Sequence, residues 1–485
     1  MYPGLSKINH IVVLMLENRS FDNMAGWLYD PGNPPPYDKV PGNQQFEGLA
    51  GKMFSNPIPP EAHGSERKRV PAGKGKVMTG PNPGPGEGFL HTNTELYGDA
   101  VLRSKGGPFG KKLNNLPCAL PVPAPMNGFV RDYIETLNSL KHSAEYEDYR
   151  IIMDCYTPEQ VPVISTLAYN YAVCDQWFCS VPSQTWCNRS FLNAATSSGF
   201  VDNAPYRKWL RNNSDTVFNR IQDEKSANLT WKVYFDRWNI LPLAWVMHTR
   251  LRPYLFSNFA GMKAFKKDAS EGNLPSYSLI EPRFFFVHND EHPPDAGEII
   301  TSSVLAGEQL IYNVYQAIRN SRNWDSTLLV ITFDEHGGCC DHVPPPPAVP
   351  PEKGAPAGEY GFRFDRLGVR VCTVLVSPYI EPGTVFRARD RNGCEVPLDH
   401  TSVIKTITDR WSLDGLTERD KAAFNIGGAL TLSKPRKDFP NIVPRPYSPL
   451  SGLKEEFKVM FRDQLKAKPA GNYPELKKFF GKWEG

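Results

Sequence analysis

The chain has 485 residues, of which 40% are hydrophobic, 12% aromatic and 22% charged, a balance that excludes wholesale disorder and can furnish a sizeable core. Its 55 basic and 52 acidic side chains leave a formal charge of +3, too weak a field to hold a polyanion, so nucleic acid is not an expected partner. No run reaches the roughly 18–20 apolar residues that cross a bilayer, and the opening MYPGLSKINHIVVLMLENRSFD is not a secretory signal, so the expectation is a cytoplasmic protein or the mature form of an exported one.

The 45 prolines and 38 glycines predict long ordered loops around a compact sheet, because proline fixes φ and removes a backbone donor. INHIVVLML reads as a buried strand: aliphatic residues run without polar alternation and stop at the charged ENRSFDNMAG. Residues 31–88 are dense in Pro, Gly and Lys and read as an irregular insertion or lid. Order resumes at APMNGFVRDYIETL, near Ala124, and VPVISTLAYNYAVCDQWFCS reads as a helix followed by a strand, YAVCDQWF. SVPSQTWCNRSF then turns sharply.

Further on, SYSLIEPRFFFV is strand-like, HNDEHPPDAG is turn-rich, and Leu305, Leu310, Val314 and Ala317 recur at helical spacing within a helix expected from about Glu298 to Asn320. Leu328 to Phe333 is a second buried strand ending in acidic residues, LGVRVCTVLVSPYI is another strand, and LDHTSVIKTITDRWSL is a polar loop entering a helix. Strands alternating with helices predict an α/β fold with a mostly parallel sheet, in one domain over 1–485. Residues 435–485 read as a C-terminal extension with a terminal helix near Leu453 to Leu465. Nine cysteines, two of them adjacent at 339 and 340, predict mostly free thiols, since a vicinal disulfide is strained.

Two strand ends carry oxygen donors: Glu17 with Asn18, and Asp334 with Glu335. Hard divalent cations take carboxylate and amide-carbonyl ligands, and the two pairs brought into one crevice would supply such a cage. Against this stands a plainer view of ENRSFD as a helix start, with Ser20 or Asp22 capping and Glu17 in a surface ion pair. The run FDEHGGCCDHVPPP adds His336, Asp341 and His342, with Gly337 and Gly338 allowing a tight reversal that folds the second pair over the first. Burying so many ionisable groups without function would be costly. SVPSQTWCNRSF offers Ser183, Thr185 and Ser190 beside Asn188 and Arg189. Phosphoryl transfer needs an oxygen nucleophile, a cation that lowers its pKa and bidentate cationic donors, although a helix cap by Thr185 or Ser183 accounts for the same string. His91, His288 and His292 are candidates to ligate a metal or protonate a leaving alkoxide.

Taken together, these strings resemble the bacterial and plant phosphoesterases that include non-specific phospholipases C and an acid phosphatase branch. ENRSFDNMAG (Glu17 to Gly26) matches the family's first block in full, and DEHGGCCDHV (Asp334 to Val343) matches every fixed position of DExxGxxDHV. TWCNR (Thr185 to Arg189) and GVRVCTVLVSP (Gly368 to Pro378) match TxPNR and GxRVPxxxxSP, each with cysteine in place of proline. MNGFV from Met126, NDEHPP from Asn289 and LDHTS from Leu398 are similar too.

The resemblance implies an alkaline-phosphatase-like fold and a phosphoric ester hydrolase of phospholipase C or acid phosphatase type. It implies Thr185 as nucleophile through a phospho-threonine, and a divalent ion, calcium, zinc or magnesium, held by Glu17, Asn18, Thr185, Asp334 and Glu335. His91, His292, Asp341 and His342 would contact the phosphoryl group or move protons, and Arg189 would stabilise phosphoryl oxygens. The substrate would be a phospholipid or a small phosphate ester, with transient contact to a membrane surface and an apolar approach furnished by WLYD, FFF or AWVM. Rival expectations are a broad-specificity phosphomonoesterase and a non-catalytic lipid-binding module; the oligomeric state stays open.

Overall fold

A computed structural model describes residues 2–42, 44–100, 120–140, 144–224, 228–285, 287–294 and 302–448. Its centre is an eight-stranded sheet. In chain order we label its strands β1 (His10–Leu16), β2 (Ala172–Cys174), β3 (Trp231–Phe235), β4 (Phe259–Gly261), β5 (Tyr277–Glu281), β6 (Thr327–Phe333), β7 (Thr373–Val376) and β8 (Thr384–Val385). They lie side by side as β8-β2-β7-β6-β1-β5-β3-β4. All pairings are parallel except those of β7 with β6 and with β2, so β7 alone runs against the rest.

The unalternating apolar runs follow from burial on both faces. Ile11 to Leu16 are fully buried, as is the whole of β6. The labelled helices are α1 (Phe21–Ala25), α2 (Phe89–Tyr97), α3 (Phe129–Ser139), α4 (Pro162–Asn170), α5 (Thr185–Ala194), α6 (Val304–Arg319) and α7 (Thr401–Trp411). Val304, Ile311, Val314 and Ile318 give α6 its buried stripe. Glu308 on the same helix receives the backbone N–H groups of Val163 and Ile164 at 2.6 and 2.8 Å, satisfying free donors at the start of α4. A second core gathers Leu96 of α2 with Phe129, Val130 and Tyr133 of α3.

The string YAVCDQWF is two strands, not one. Asp175 breaks it, because its buried carboxylate is drawn to Arg387 at 2.8 Å, and Trp177–Phe178 pairs with Leu398–Asp399 outside the main sheet. Helix α6 begins at Val304, where Ser303 caps it by accepting from Leu305 N–H; the part of the expected helix over 298–301 and the expected terminal helix near Leu453 to Leu465 lie outside the described residues. Of the cysteines, all those described are free thiols, with Cys394 exposed and the others buried. Among the described residues no helix is long and apolar enough to cross a membrane.

Candidate active site

Register decides which side chains meet. Strands β1 and β6 are neighbours with Leu16 opposite Phe333, so Glu17 and Asp334 emerge together at the carboxyl edge, where open parallel sheets place their ligands. Asn18 takes a positive φ of 59°, which asparagine tolerates, and donates its N–H to Asp334 Oδ1 at 3.1 Å. Glu17, Asn18, Asp334 and Glu335 are all buried. Ser20 does cap α1, accepting from Asn23 N–H at 3.1 Å, but Glu17 turns inward instead of forming a surface ion pair.

Thr185 is the first residue of α5, and its neighbours fix its place. Gln184 precedes it as the N-cap without capping through its side chain, so neither Thr185 nor Ser183 serves as the cap. Ser183 Oγ donates to Asp202 at 3.1 Å and Ser190 Oγ to Thr196 O at 2.6 Å; Thr185 is the hydroxyl of this string that no such bond holds. One turn on, and therefore on the same helix face, Arg189 pairs with Asp334 at 3.0 Å and with Glu17 at 3.4 Å. Arg189 departs from its expected role. Its guanidinium also donates to Met15 O and Leu16 O at 3.1 Å each, and Phe284 covers it at 4.9 Å, so it ties α5 to the end of β1 and does not present a free fork to a phosphoryl group.

The other side of the crevice joins the expected His292 to two residues that sequence reasoning passed over, Glu87 and His400. Glu87, at the end of the 31–88 excursion, accepts from the Asn18 amide and from Gln184 Nε2, the latter at 2.9 Å. His292 Nε2 stands 3.5 Å from the same carboxylate, and His292 Nδ1 faces Pro293 O. His400, from the LDHTS string, meets the Asp334 carbonyl at 2.6 Å; burial lowers its pKa to about 4, and it stays neutral. No pattern could have raised Glu87 in advance, since a single glutamate in a Pro/Gly-rich loop has no spacing to read.

These donors fit a hard divalent cation. Asn18 Oδ1 and Glu335 Oε1 are buried with no hydrogen-bond partner, which is costly unless something absent from the chain completes them. Burial pushes Glu335 up to about 8 and, reinforced by Asp334, lifts Glu17 well above the ordinary carboxylate range; Asp334 is raised for the same reason. Carboxylates crowded into low dielectric with too little counter-charge are what a cation relieves. The all-oxygen set of Glu17, Asn18, Thr185, Asp334 and Glu335 would be its holders.

Asp341 and His342 take other partners than the strand-end acids. The reversal at Gly337 and Gly338 carries them away from Asp334 to Asp22 and Arg370. Arg370 donates to Asp341 Oδ1 and Asp22 Oδ1, both at 2.9 Å, and His342 Nδ1 meets Asp22 Oδ2 at 2.6 Å. Ligand atoms of Asp22, Asp341 and His342 do converge within 4.8 Å of one another, but the arginine is already their counter-ion. His336 is sealed between Glu95 at 2.7 Å and Glu335 at 3.2 Å; burial opposes its charge, yet those carboxylates raise it to about 10. His91 pairs with Asp132 at 3.0 Å, and His288 with Asp290 at 3.0 Å.

Fold and site together place a crevice of oxygen donors at the carboxyl edge of a mostly parallel α/β sheet. The Phosphoesterase family model matches residues 8–414. The non-specific phospholipase C3 of Arabidopsis thaliana is 33% identical over 451 residues, covering 90% of this chain and 76% of that protein; the phospholipase C B of Mycobacterium tuberculosis is 24% identical over 496 residues, covering 92% and 83%. Among solved structures, an alkaline-phosphatase-superfamily protein from Vibrio parahaemolyticus is similar at 9% identity and a TM-score of 0.31, over 63% of this chain and 80% of that one. The chain belongs to the Phosphoesterase family and is a phosphoric ester hydrolase.

Proposed function

We propose that the protein cleaves phospholipids in the manner of a phospholipase C, releasing a phosphorylated head group through a phospho-threonine at Thr185. The observation that carries this reading is the uncommitted Thr185 hydroxyl, set at the start of α5 between Gln184, which reaches Glu87, and Arg189, which reaches Glu17 and Asp334. Its chemistry is a two-step displacement. Thr185 Oγ attacks phosphorus, its proton passing to water, and the bond from phosphorus to the glyceride oxygen breaks. His292, whose Nε2 stands 3.5 Å from Glu87, gives a proton to the departing alkoxide. Water then attacks the phospho-threonine and frees the phosphomonoester. A divalent ion held by the five oxygen donors would lower the hydroxyl's pKa and offset phosphoryl charge. The names of the two relatives above, both phospholipases C, support the diester substrate, and of the three apolar strings FFF fits the approach: Phe284 lies over Arg189 and Phe285 is half exposed, whereas Leu28, Tyr29, Ala244 and Met247 of the others are core.

The test is product analysis with phosphatidylcholine vesicles and with 4-nitrophenyl phosphate. Phosphocholine from the first substrate is the expected result; phosphate from the aryl ester alone would replace the reading with a phosphomonoesterase. Thr185→Ala should lower kcat/KM by at least about a thousandfold, and acid quenching of wild type should trap a phosphorylated peptide containing Thr185.

A further inference from the structure

Glu87 lies where the two halves of the site touch. One carboxylate oxygen receives the Asn18 amide and faces His292 Nε2 at 3.5 Å, while the other accepts from Gln184 Nε2 at 2.9 Å. An asparagine amide has one oxygen and one NH2 group. If the NH2 group is fixed on Glu87, the oxygen must point the opposite way, and Asn18 Oδ1 is the buried atom left without a partner. The carboxylate is half-buried: burial would raise its pKa, but His292, Gln184 and Asn18 hold it below the ordinary range.

The backbone is shaped for this approach. Gly337 and Gly338 take φ of 60° and 68°, and a Cβ at either would stand 2.4 Å from Asn18 O or 2.6 Å from Gly86 O. The double glycine of DEHGG thus lets residues 85–87 lie directly over the strand-end acids. A side chain seated only by chance would not need such clearance on the facing loop.

We propose that Glu87 is a positioning residue: it orients the Asn18 amide so that Oδ1 faces the cation, and it holds the His292 imidazole on the leaving-group side of the same crevice. This rests on the reading above that a cation occupies the crevice and His292 is the proton donor. Partners that orient metal ligands typically contribute 10–100-fold in metal affinity. A glutamine at 87 offers one acceptor oxygen and a competing donor, so it cannot serve Asn18 and Gln184 as the carboxylate does.

Calorimetric titration of metal-stripped full-length protein with Ca²⁺ is the direct measurement, with circular dichroism melting as a control for folding. Glu87→Gln should weaken Ca²⁺ binding by about 10-fold or more and lower kcat on phosphatidylcholine more than it raises KM; Glu87→Asp should recover part of both. Gly338→Ala, which displaces residues 85–87 without touching the carboxylate, should reproduce the loss of affinity. An unchanged Ca²⁺ affinity in folded Glu87→Gln would overturn the proposal, and so would a wild type that binds neither Ca²⁺ nor Mn²⁺. A wild type that binds Ca²⁺ but releases only phosphate from an aryl ester would defeat the phospholipid reading and leave the affinity comparison standing.

Discussion

Two acidic clusters grow from the same two segments of chain, and they differ in how fully their oxygen acceptors are met. The loop after β1 sends Glu17 and Asn18 to one and Asp22 to the other; the loop after β6 sends Asp334 and Glu335 to the first and Asp341 and His342 to the second. In the second, every carboxylate oxygen has a donor: Arg370 bridges the two aspartates, His342 N–H and Nδ1 take Asp22 Oδ2, Val343 N–H reaches Asp341 Oδ1 and Asp22 N–H reaches Asp341 Oδ2. In the first, Arg189 partly neutralises Glu17 and Asp334, Glu335 Oε1 and Asn18 Oδ1 stay unmatched, and the carboxylates are pushed toward protonation. Buried carboxylates from the same two segments therefore do different work. The completed cluster clamps two loops, and the incomplete one is poised for a ligand.

The largest effect expected from breaking this contrast is at Asp334. Asp334→Asn removes charge from the incomplete cluster, and the several kcal/mol that a Lewis acid supplies translate to about a thousandfold in kcat/KM. Ca²⁺ calorimetry on the same variant should show binding lost. Asp341→Asn should leave Ca²⁺ affinity within about threefold in whatever fraction folds; equal losses in the two variants would mean that the clusters are one site.

Arg370→Ala reverses the test. It strands Asp22 and Asp341, both fully buried, and stranding one side of a buried ion pair costs about 3–5 kcal/mol. Urea melts should report that loss. Ca²⁺ at a hundred times the dissociation constant should add the same stability to the variant as to wild type, about 2.7 kcal/mol, and leave the difference between them in place.

The sequence showed the first cluster and concealed the second. Strands β1 and β6 were readable from unbroken aliphatic runs, and the acids at their ends from the polar residues that terminate them. Asp341 and His342 were grouped with Asp334 because they lie within nine positions, yet two left-handed glycines separate them in space. For Arg189 the resemblance implies a phosphoryl clamp; its bonds run to backbone carbonyls of β1, which a local string cannot display. Glu87 was invisible for the converse reason, since its significance comes wholly from a loop crossing that brings it to Asn18.

The smallest effect concerns His91, which resemblance grouped with the proton-transfer residues. Its imidazole is bound to the buried Asp132, and although burial lowers its pKa, Asp132 outweighs that and raises it to about 9. The folded value lies above the unfolded value near 6.5. The pair therefore contributes its full stability below about pH 6.5 and loses it as pH rises through about 9. With the histidine side chain 31% exposed, solvent screening keeps the contribution under about 1 kcal/mol. Urea melts of wild type and His91→Gln should differ at pH 6 and converge by pH 10. If His91 acts only through Asp132 and α2, the alkaline limb of kcat/KM should keep its midpoint in the variant. If that limb disappears with His91, the imidazole touches the reacting ester, and proton delivery has to be shared between α2 and His292.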